Sequence, residues 1–398
     1  MRHSLCSLAA VTTLTLASRE AGPGAMEVPF EIASNKPYVQ VSINGSPKQW
    51  FILDTGCGGT SVIAKECADR IGLRGEAEER VHLGAGEGVQ VGVSTVPSVT
   101  LDLGEVSTKF ATLRIFPLGH VAPYEGRPVD GLLGQDFLER HVVEIDYAKN
   151  RVRILDPESF VPARGGVSIP ITTESGLAVA KGTITVRGKD PIPCRLVIDT
   201  GVRATVIFYR PFAAGHGLLD VPGNLLDATV GGGAGGETRG DVGRLEKLLL
   251  GSFAFDEPTA IFSRDTVGVL AGTEEDGIIG GELLRRARVT FDYPHQRMIL
   301  EPYPGSLPPF DYDMSGLFLV AHGNSFERIT VQSVTRGTPA GLAGLKPGDE
   351  ILALDGRRSP KLTLEDARSS FRTPGEHRLE VRRGGKTLHI TLIARRLV

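Results

Sequence analysis

A mainly β chain, folded as two similar lobes and followed by a smaller α+β unit, is the architecture this sequence predicts. Three observations predict it. First, four markers recur in one order at near-constant spacing. Asp54-Thr55-Gly56 returns as Asp199-Thr200-Gly201, and Leu103-Gly104 as Leu250-Gly251. Asp130-Gly131-Leu132-Leu133-Gly134 returns as Asp276-Gly277-Ile278-Ile279-Gly280, and Asp146-Tyr147 as Asp292-Tyr293. A repeat this long marks duplicated lobes, not a solenoid. Second, 50 glycines and 25 prolines punctuate Val/Ile/Leu/Thr stretches, the pattern of strands and turns. Third, about 85 residues at the C-terminal side match neither lobe, and 398 residues are too many for one ordinary core.

The elements follow in order. Residues 1–25 form a leader in which Arg2 and His3 precede an apolar run, with small residues near Ala17-Ser18. This reads as a signal for export to the periplasm, cell envelope or medium. The other reading is a disordered leader or a start at Met26, with the chain cytoplasmic. The first lobe takes residues 26–160. Its alternating Tyr38–Ile43, an Asn44-Gly45 turn and Gln49–Leu53 predict a β-hairpin that delivers Asp54. The second lobe, 161–303, repeats this with Ala178–Val186, a turn at Arg187-Gly188-Lys189, and Cys194–Ile198 delivering Asp199. Pro157–Gly166 reads as the inter-lobe connection. A Pro-rich stretch, Glu301–Pro309, separates the lobes from the last unit, 304–398. Short helices are predicted over Val62–Ile71, Gln135–Leu138 and Leu364–Phe371, with strand and turn elsewhere.

Composition narrows the function. A net charge of -3 with no basic run argues against nucleic acid as partner. No apolar stretch is long enough for a membrane helix. The nine histidines are scattered and no C-x-x-C or H-E-x-x-H occurs, so no metal is expected. Gly231–Gly236 fits G-x-G-x-x-G, but no helix follows it to receive a pyrophosphate, so no dinucleotide cofactor is expected. Without Cys6, Cys57, Cys67 and Cys194 remain, an odd number, and a Cys57–Cys67 bridge is allowed but not required.

The chemistry rests on Asp54 and Asp199. Two carboxylates about 3 Å apart repel by about 5 kcal/mol at an effective dielectric near 20. They therefore share one proton, and the pair offers an acid beside a base. Water held between them loses a proton to one Asp while the other protonates the carbonyl under attack. Gly56 and Gly201 allow the sharp turn. Thr55 and Thr200 carry hydroxyls able to bond across the lobe interface and brace both loops. Asp130, Asp276, Asp146 and Asp292 read as turn and cap residues. Cys57 reads as a small buried side chain, against the alternative of a reactive thiol.

On these residues the chain resembles the aspartic proteases of the pepsin and retroviral type, in a single-chain, two-lobed form. It is most similar to the bacterial-type enzymes that carry a C-terminal PDZ domain. In that family Asp-Thr-Gly pairs with an apolar-apolar-Gly triplet, here Leu132-Leu133-Gly134 and Ile278-Ile279-Gly280. The resemblance implies pseudo-twofold β-barrel lobes, catalysis by Asp54 and Asp199, and no cofactor. It also implies peptide or protein substrates and a monomer, since both lobes lie on one chain. Flap tips that cover substrate are implied at Gly84, Ala85 and Gly86, and at Gly232, Gly233 and Ala234. There is no Tyr in the first tip. The residue after each catalytic Gly is Cys57 or Val202, neither a strong donor to the outer carboxylate oxygen. Losing such a donor raises proton affinity and predicts an optimum nearer neutral pH. The last unit is similar to a PDZ domain through Gly344-Leu345-Lys346-Pro347-Gly348-Asp349. Gly316, Leu317, Phe318 and Leu319 match the loop and strand that take a peptide's terminal carboxylate in such domains. The reading from another class is a binding adaptor: a protease fold without catalysis, in which lobes and PDZ domain hold extended peptides.

Overall fold

The computed structural model describes residues 25–82, 90–174, 176–220, 226–233, 236–305 and 308–398. Among them, no helix is long and apolar enough to cross a membrane.

Each lobe is built by the same strand sequence. In the first, Lys36–Ile43 pairs antiparallel with Gln49–Leu53, with Tyr38 opposite Ile52. The strand Gln49–Leu53 then lies parallel to Gly131–Leu133, with Leu53 opposite Leu133. In the second lobe Leu177–Thr185 pairs with Ile192–Ile198, which lies parallel to Gly277–Ile279 with Ile198 opposite Ile279. Parallel neighbours need a long crossover, which is why the triplet comes some 80 residues after its aspartate. Their last three residues, Phe51–Leu53 and Leu196–Ile198, are buried and apolar, as strand segments covered on both faces must be.

A six-stranded antiparallel sheet joins the lobes. It runs Met26–Ala33, Arg151–Leu155 and Val142–Asp146 from the first lobe, then Ala287–Asp292, Arg297–Pro302 and Val167–Glu174 from the second. The junction pairs Ile145 with Val289. Three strands from each side in mirrored order give the molecule its approximate twofold axis.

Several expectations need correction. Val62–Ala64 is a strand, and the helix begins at Lys65–Arg70. The β-branched pair Val62-Ile63 is captured between Gly131–Leu133 and Val106–Phe116, a long-range pairing that overrides local pattern. Its counterpart Val206–Phe208 is followed by the helix Arg210–Gly215, opened by Pro211 at its first turn. Ala122–Glu125 is a further short helix that the sequence pattern does not show. Cys57, Cys67 and Cys194 are all free.

The C-terminal unit is a five-strand path, Leu317–His322, Arg328–Val334, Glu350–Leu354, Gly375–Arg383 and Lys386–Ala394, closed by the helix Leu364–Ser370. Its core is separate from that of the lobes. The Pro-rich stretch before it is tied down. Phe310 is buried in the protease core, the Arg286 guanidinium stacks 3.5 Å from its ring centroid, and Arg286 donates to the carbonyl oxygens of Pro308 and Pro309.

Glu282 holds the joint between the units. Its buried carboxylate accepts from Asn35 at 2.8 Å, from Arg372 of the C-terminal unit at 3.1 Å, and pairs with Arg285 and Arg286. Burial pushes this carboxyl up, yet Arg372, Arg285 and Arg286 hold it below its ordinary value. Glu282→Ala leaves the buried Arg286 guanidinium without a counter-charge and takes the partner from the partly exposed Arg285 and Arg372, and its expected cost is about 3–5 kcal/mol. Because the folded value is depressed, the stability that wild type draws from Glu282 is present above the unfolded carboxyl value and fades as pH falls. Chemical denaturation at pH 7 and pH 4 checks both points: the deficit should be smaller at pH 4.

Candidate active site

Asp54 and Asp199 come together at the floor of the inter-lobe cleft. Each stands at the end of a buried strand and is fixed by its triplet: Asp54 N–H donates to Leu133 O at 2.9 Å, and Asp199 N–H to Ile279 O at 2.9 Å. The Gly56 N–H donates to Asp54 Oδ1 at 2.9 Å, and the Gly201 N–H to Asp199 Oδ1 at 2.7 Å. The two carboxyl groups face each other across the axis, each seated against the other loop's glycine.

The glycines are required here by space. A Cβ on Gly56 would lie 2.1 Å from Asp199 Oδ2, and one on Gly201 would lie 2.4 Å from Asp54 Cγ. Each loop therefore makes room for the other loop's carboxyl.

Beneath the pair the threonines interlock. Thr55 N–H donates to Thr200 Oγ1 at 3.0 Å, and Thr200 N–H to Thr55 Oγ1 at 3.0 Å. The hydroxyls donate onward, Thr55 to Ile198 O at 2.7 Å and Thr200 to Leu53 O at 2.6 Å. Both residues are wholly buried. Four hydrogen bonds cross the axis, and the two donated by the hydroxyls close onto the strand that carries the opposite aspartate.

Burial raises the proton affinity of both carboxyls, and at Asp199 the charge of Asp54 raises it further. Lys36 opposes the shift in both. Both carboxyls therefore keep a proton more readily than an ordinary Asp, Asp199 the more strongly. The thiol of Cys57 contacts Thr60 O at 3.6 Å, and burial followed by the nearby Asp54 charge pushes its pKa well up. It is a protonated side chain, not a thiolate. Cys57→Ser places a stronger donor beside the pair. The acidic limb of the kcat/KM profile should move down by about half a unit to one unit, toward the behaviour of a better-stabilised carboxylate. An unmoved limb refutes the donor argument.

Asp130 and Asp276 act as buttresses. Trp50 N–H donates to Asp130 Oδ2 at 2.9 Å and Arg195 N–H to Asp276 Oδ2 at 2.7 Å, just upstream of each reactive aspartate. Asp146 and Asp292 close strand ends through Arg288 and Arg297.

The flap positions divide. Gly84, Ala85, Gly86 and Ala234 lie outside the described residues. Gly232 and Gly233 end the strand Leu226–Gly233, which pairs with Gly236–Arg244 as a hairpin. Gly231, Val230 and Thr238 from this hairpin reach the cleft. Gly316, Leu317, Phe318 and Leu319 lie in the groove of the C-terminal unit, and Phe318 enters the cleft itself.

The cleft encloses about 280 Å³ and is mostly apolar. Ile52, Leu118, Val121 and Leu132 line one side of the dyad, and Val202, Ile207, Leu270 and Ile278 the other. Sequence reasoning missed its charged wall. Lys36 Nζ bonds Glu125 Oε1 at 2.7 Å, and Tyr38 donates to Glu125 Oε2 at 3.1 Å. Burial pushes Glu125 up, but Lys36, then Arg368 and Arg203, hold it below its ordinary value. No motif flags these residues, because strand-start Lys36 and helical Glu125 meet only in the fold. Arg368, from the C-terminal unit, was likewise invisible as a cleft residue. Among the described residues no group of His, Cys, Asp and Glu is arranged to hold a metal ion.

Parts of this chain are similar to known proteins. The family described as "Aspartyl protease" matches residues 39–137 and 182–283, half of the chain, and "PDZ domain" matches 312–393. "DNA damage-inducible protein 1" of Cryptococcus neoformans is 32% identical over 123 residues, 30% of this chain and 26% of that protein. The protein of the same name from Chaetomium globosum is 31% identical over 143 residues, 35% of this chain and 29% of its own length. "UBA domain-containing protein Mud1" of Schizosaccharomyces pombe is 31% identical over 136 residues, 33% of this chain and 36% of that one. The chain thus spans about a quarter to a third of the curated relatives it matches. The crystal structure of the aspartic proteinase from Irpex lacteus aligns with a TM-score of 0.45 at 13% identity, over 70% of this chain and 98% of that one. With two matched lobes, two interlocked Asp-Thr-Gly loops and a separate third core, the chain belongs to the aspartyl protease family and carries a PDZ domain behind its lobes.

Proposed function

We propose that this protein is an aspartic endopeptidase in which Asp54 and Asp199 are the catalytic residues. The observation that carries the reading is the dyad itself: two enclosed carboxyls that face each other, both with raised proton affinity, at the floor of an apolar cleft. The charged member takes a proton from a water molecule as that water attacks the peptide carbon. The protonated member gives its proton to the carbonyl oxygen, and a tetrahedral gem-diol forms. Return of protons through the same pair releases the amine. No cofactor enters these steps.

Apolar walls on both sides of the dyad favour apolar residues flanking the scissile bond. The PDZ domain binds an extended segment of the substrate or a partner. One chain supplies both halves of the site, so the working form is a monomer. The leader of residues 1–25 supports work outside the cytoplasm.

The test is incubation of the purified full chain with an unfolded protein and a peptide library between pH 3 and pH 8. Cuts between apolar residues, blocked by a statine-type transition-state mimic, support the reading. Peptide held but never cut supports the adaptor alternative instead.

A further inference from the structure

The PDZ groove and the catalytic cleft are one passage. Arg203, Val230, Phe318 and Arg368 line both. The strand Leu317–His322 lies at the edge of its sheet and pairs, among the described residues, with Arg328–Val334 alone. On its other side it meets the helices Ala122–Glu125 and Leu364–Ser370, and Phe318 projects from it into the cleft.

The loop that precedes this strand is internally satisfied. The Asp313 carboxylate accepts from the N–H groups of Ser315 and Gly316, and Ser315 Oγ accepts from Leu317 N–H at 3.0 Å. A carboxylate already sits on these donors, so the loop's first donors do not await another.

Positive charge stands instead at the junction. The charged side chains lining the cleft are Lys36, Arg203, Arg368, Glu125 and the dyad. Glu125 neutralises Lys36 at 2.7 Å. Toward the PDZ groove Asp313 and Glu365 stand beside the two arginines, but among the described residues neither forms an ion pair with them. Arg368 donates to Ser34 Oγ at 3.2 Å and to Leu319 O at 3.0 Å, leaving other N–H groups unused. The Arg203 side chain has no hydrogen bond or ion pair among the described residues, although Asn35 fixes its carbonyl at 2.9 Å. Burial lowers the Arg368 pKa to about 9, Arg203 lowering it further and Glu125 opposing, so it stays charged at neutral pH.

The geometry assigns Arg203 and Arg368 as a carboxylate-binding subsite at the PDZ end of the cleft, taking an acidic group of the peptide that lies across the dyad. Guanidinium forks match carboxylate geometry, and both stand where cleft and groove meet. The inference rests on the proposal that the cleft holds an extended peptide. The acidic group is either a Glu or Asp side chain or a chain-terminal carboxylate.

The two sources are separated by binding to the full-length Asp199→Asn variant, which does not depend on turnover. Labelled peptides with an apolar centre carry Glu or Gln scanned through each position, and each is made as the free acid and the amide. Fluorescence anisotropy should show about tenfold weaker binding when the recognised carboxylate becomes an amide. The preference should vanish in the Arg203→Gln background. Arg368→Gln should act likewise, but it also loses its bonds to Ser34 and Leu319. Arg203→Gln breaks no side-chain bond and keeps the test clean, with thermal melts as the folding check. An effect confined to one internal position identifies a side chain, and one confined to the end identifies the terminus. Acid and amide forms bound within about twofold throughout overturn the subsite, as does an intact preference in Arg203→Gln or no peptide binding at all. Binding with the predicted preference but no cleavage by wild type would refute the hydrolase reading and leave the subsite standing.

Discussion

Asp54→Asn and Asp199→Asn should each reduce kcat/KM by at least about 10⁴-fold, because neither variant can both accept and deliver a proton at the floor of the cleft. The two losses should not add. The carboxyls act as a unit, so the double variant should be no worse than either single one. Stability should move the other way. Burial raises both carboxyls in the folded protein above their unfolded value, so the wild-type dyad weakens the fold as pH climbs past the unfolded carboxyl range. An Asn in place of Asp199 escapes that cost. Its melting temperature should exceed wild type at pH 7, and the gap should close on approach to pH 4. A variant that retains turnover, or one that melts lower at neutral pH with its gap widening, contradicts the shared-proton dyad.

Thr200→Val should cost about 2–4 kcal/mol and slow the reaction about 100-fold or more. The valine keeps the shape and removes the hydroxyl that accepts from Thr55 N–H and donates to Leu53 O. Two buried backbone groups are then left unpaired, which is the expensive outcome for a hydrogen bond. The strand ending at Leu53 carries Asp54, so the same substitution loosens the dyad's aim. Thr55→Val should match it, since its bonds to Thr200 N–H and Ile198 O are the mirror image. Denaturant midpoints and kcat, measured on the same preparations, check the pair of effects. A stability loss with unchanged kcat would show that the threonines hold the lobes together without positioning the carboxyls.

Much of this was legible because duplication writes each signal twice. Asp-Thr-Gly, the apolar-apolar-Gly triplet and the Asp-Tyr strand ends recur at one spacing, and the fold places the matching copies in matching strands. The helices Gln135–Leu138 and Leu364–Ser370 were visible too, and in the fold the latter opens on a Thr363–Asp366 capping box. What escaped was set by contacts distant in sequence. Val62–Ala64 looks helical until strands 50 and 70 residues away capture it. Lys36 and Glu125 have no local signature and meet 89 positions apart. The entry of Phe318 and Arg368 into the cleft depends on how a third core packs on the other two, which no motif encodes.

The two walls of the cleft have parted company in composition while the bracing below them stays paired. Cys57 has Val202 as its counterpart, and the Lys36–Glu125 side is joined by the PDZ residues Phe318 and Arg368. In an assembly of two identical chains, any such change would be imposed on both sides at once. One polypeptide carrying both lobes lifts that constraint, so an extended strand laid across the dyad would meet different neighbours on its two sides. Its polarity, N-terminus to C-terminus, thereby becomes something this molecule can read.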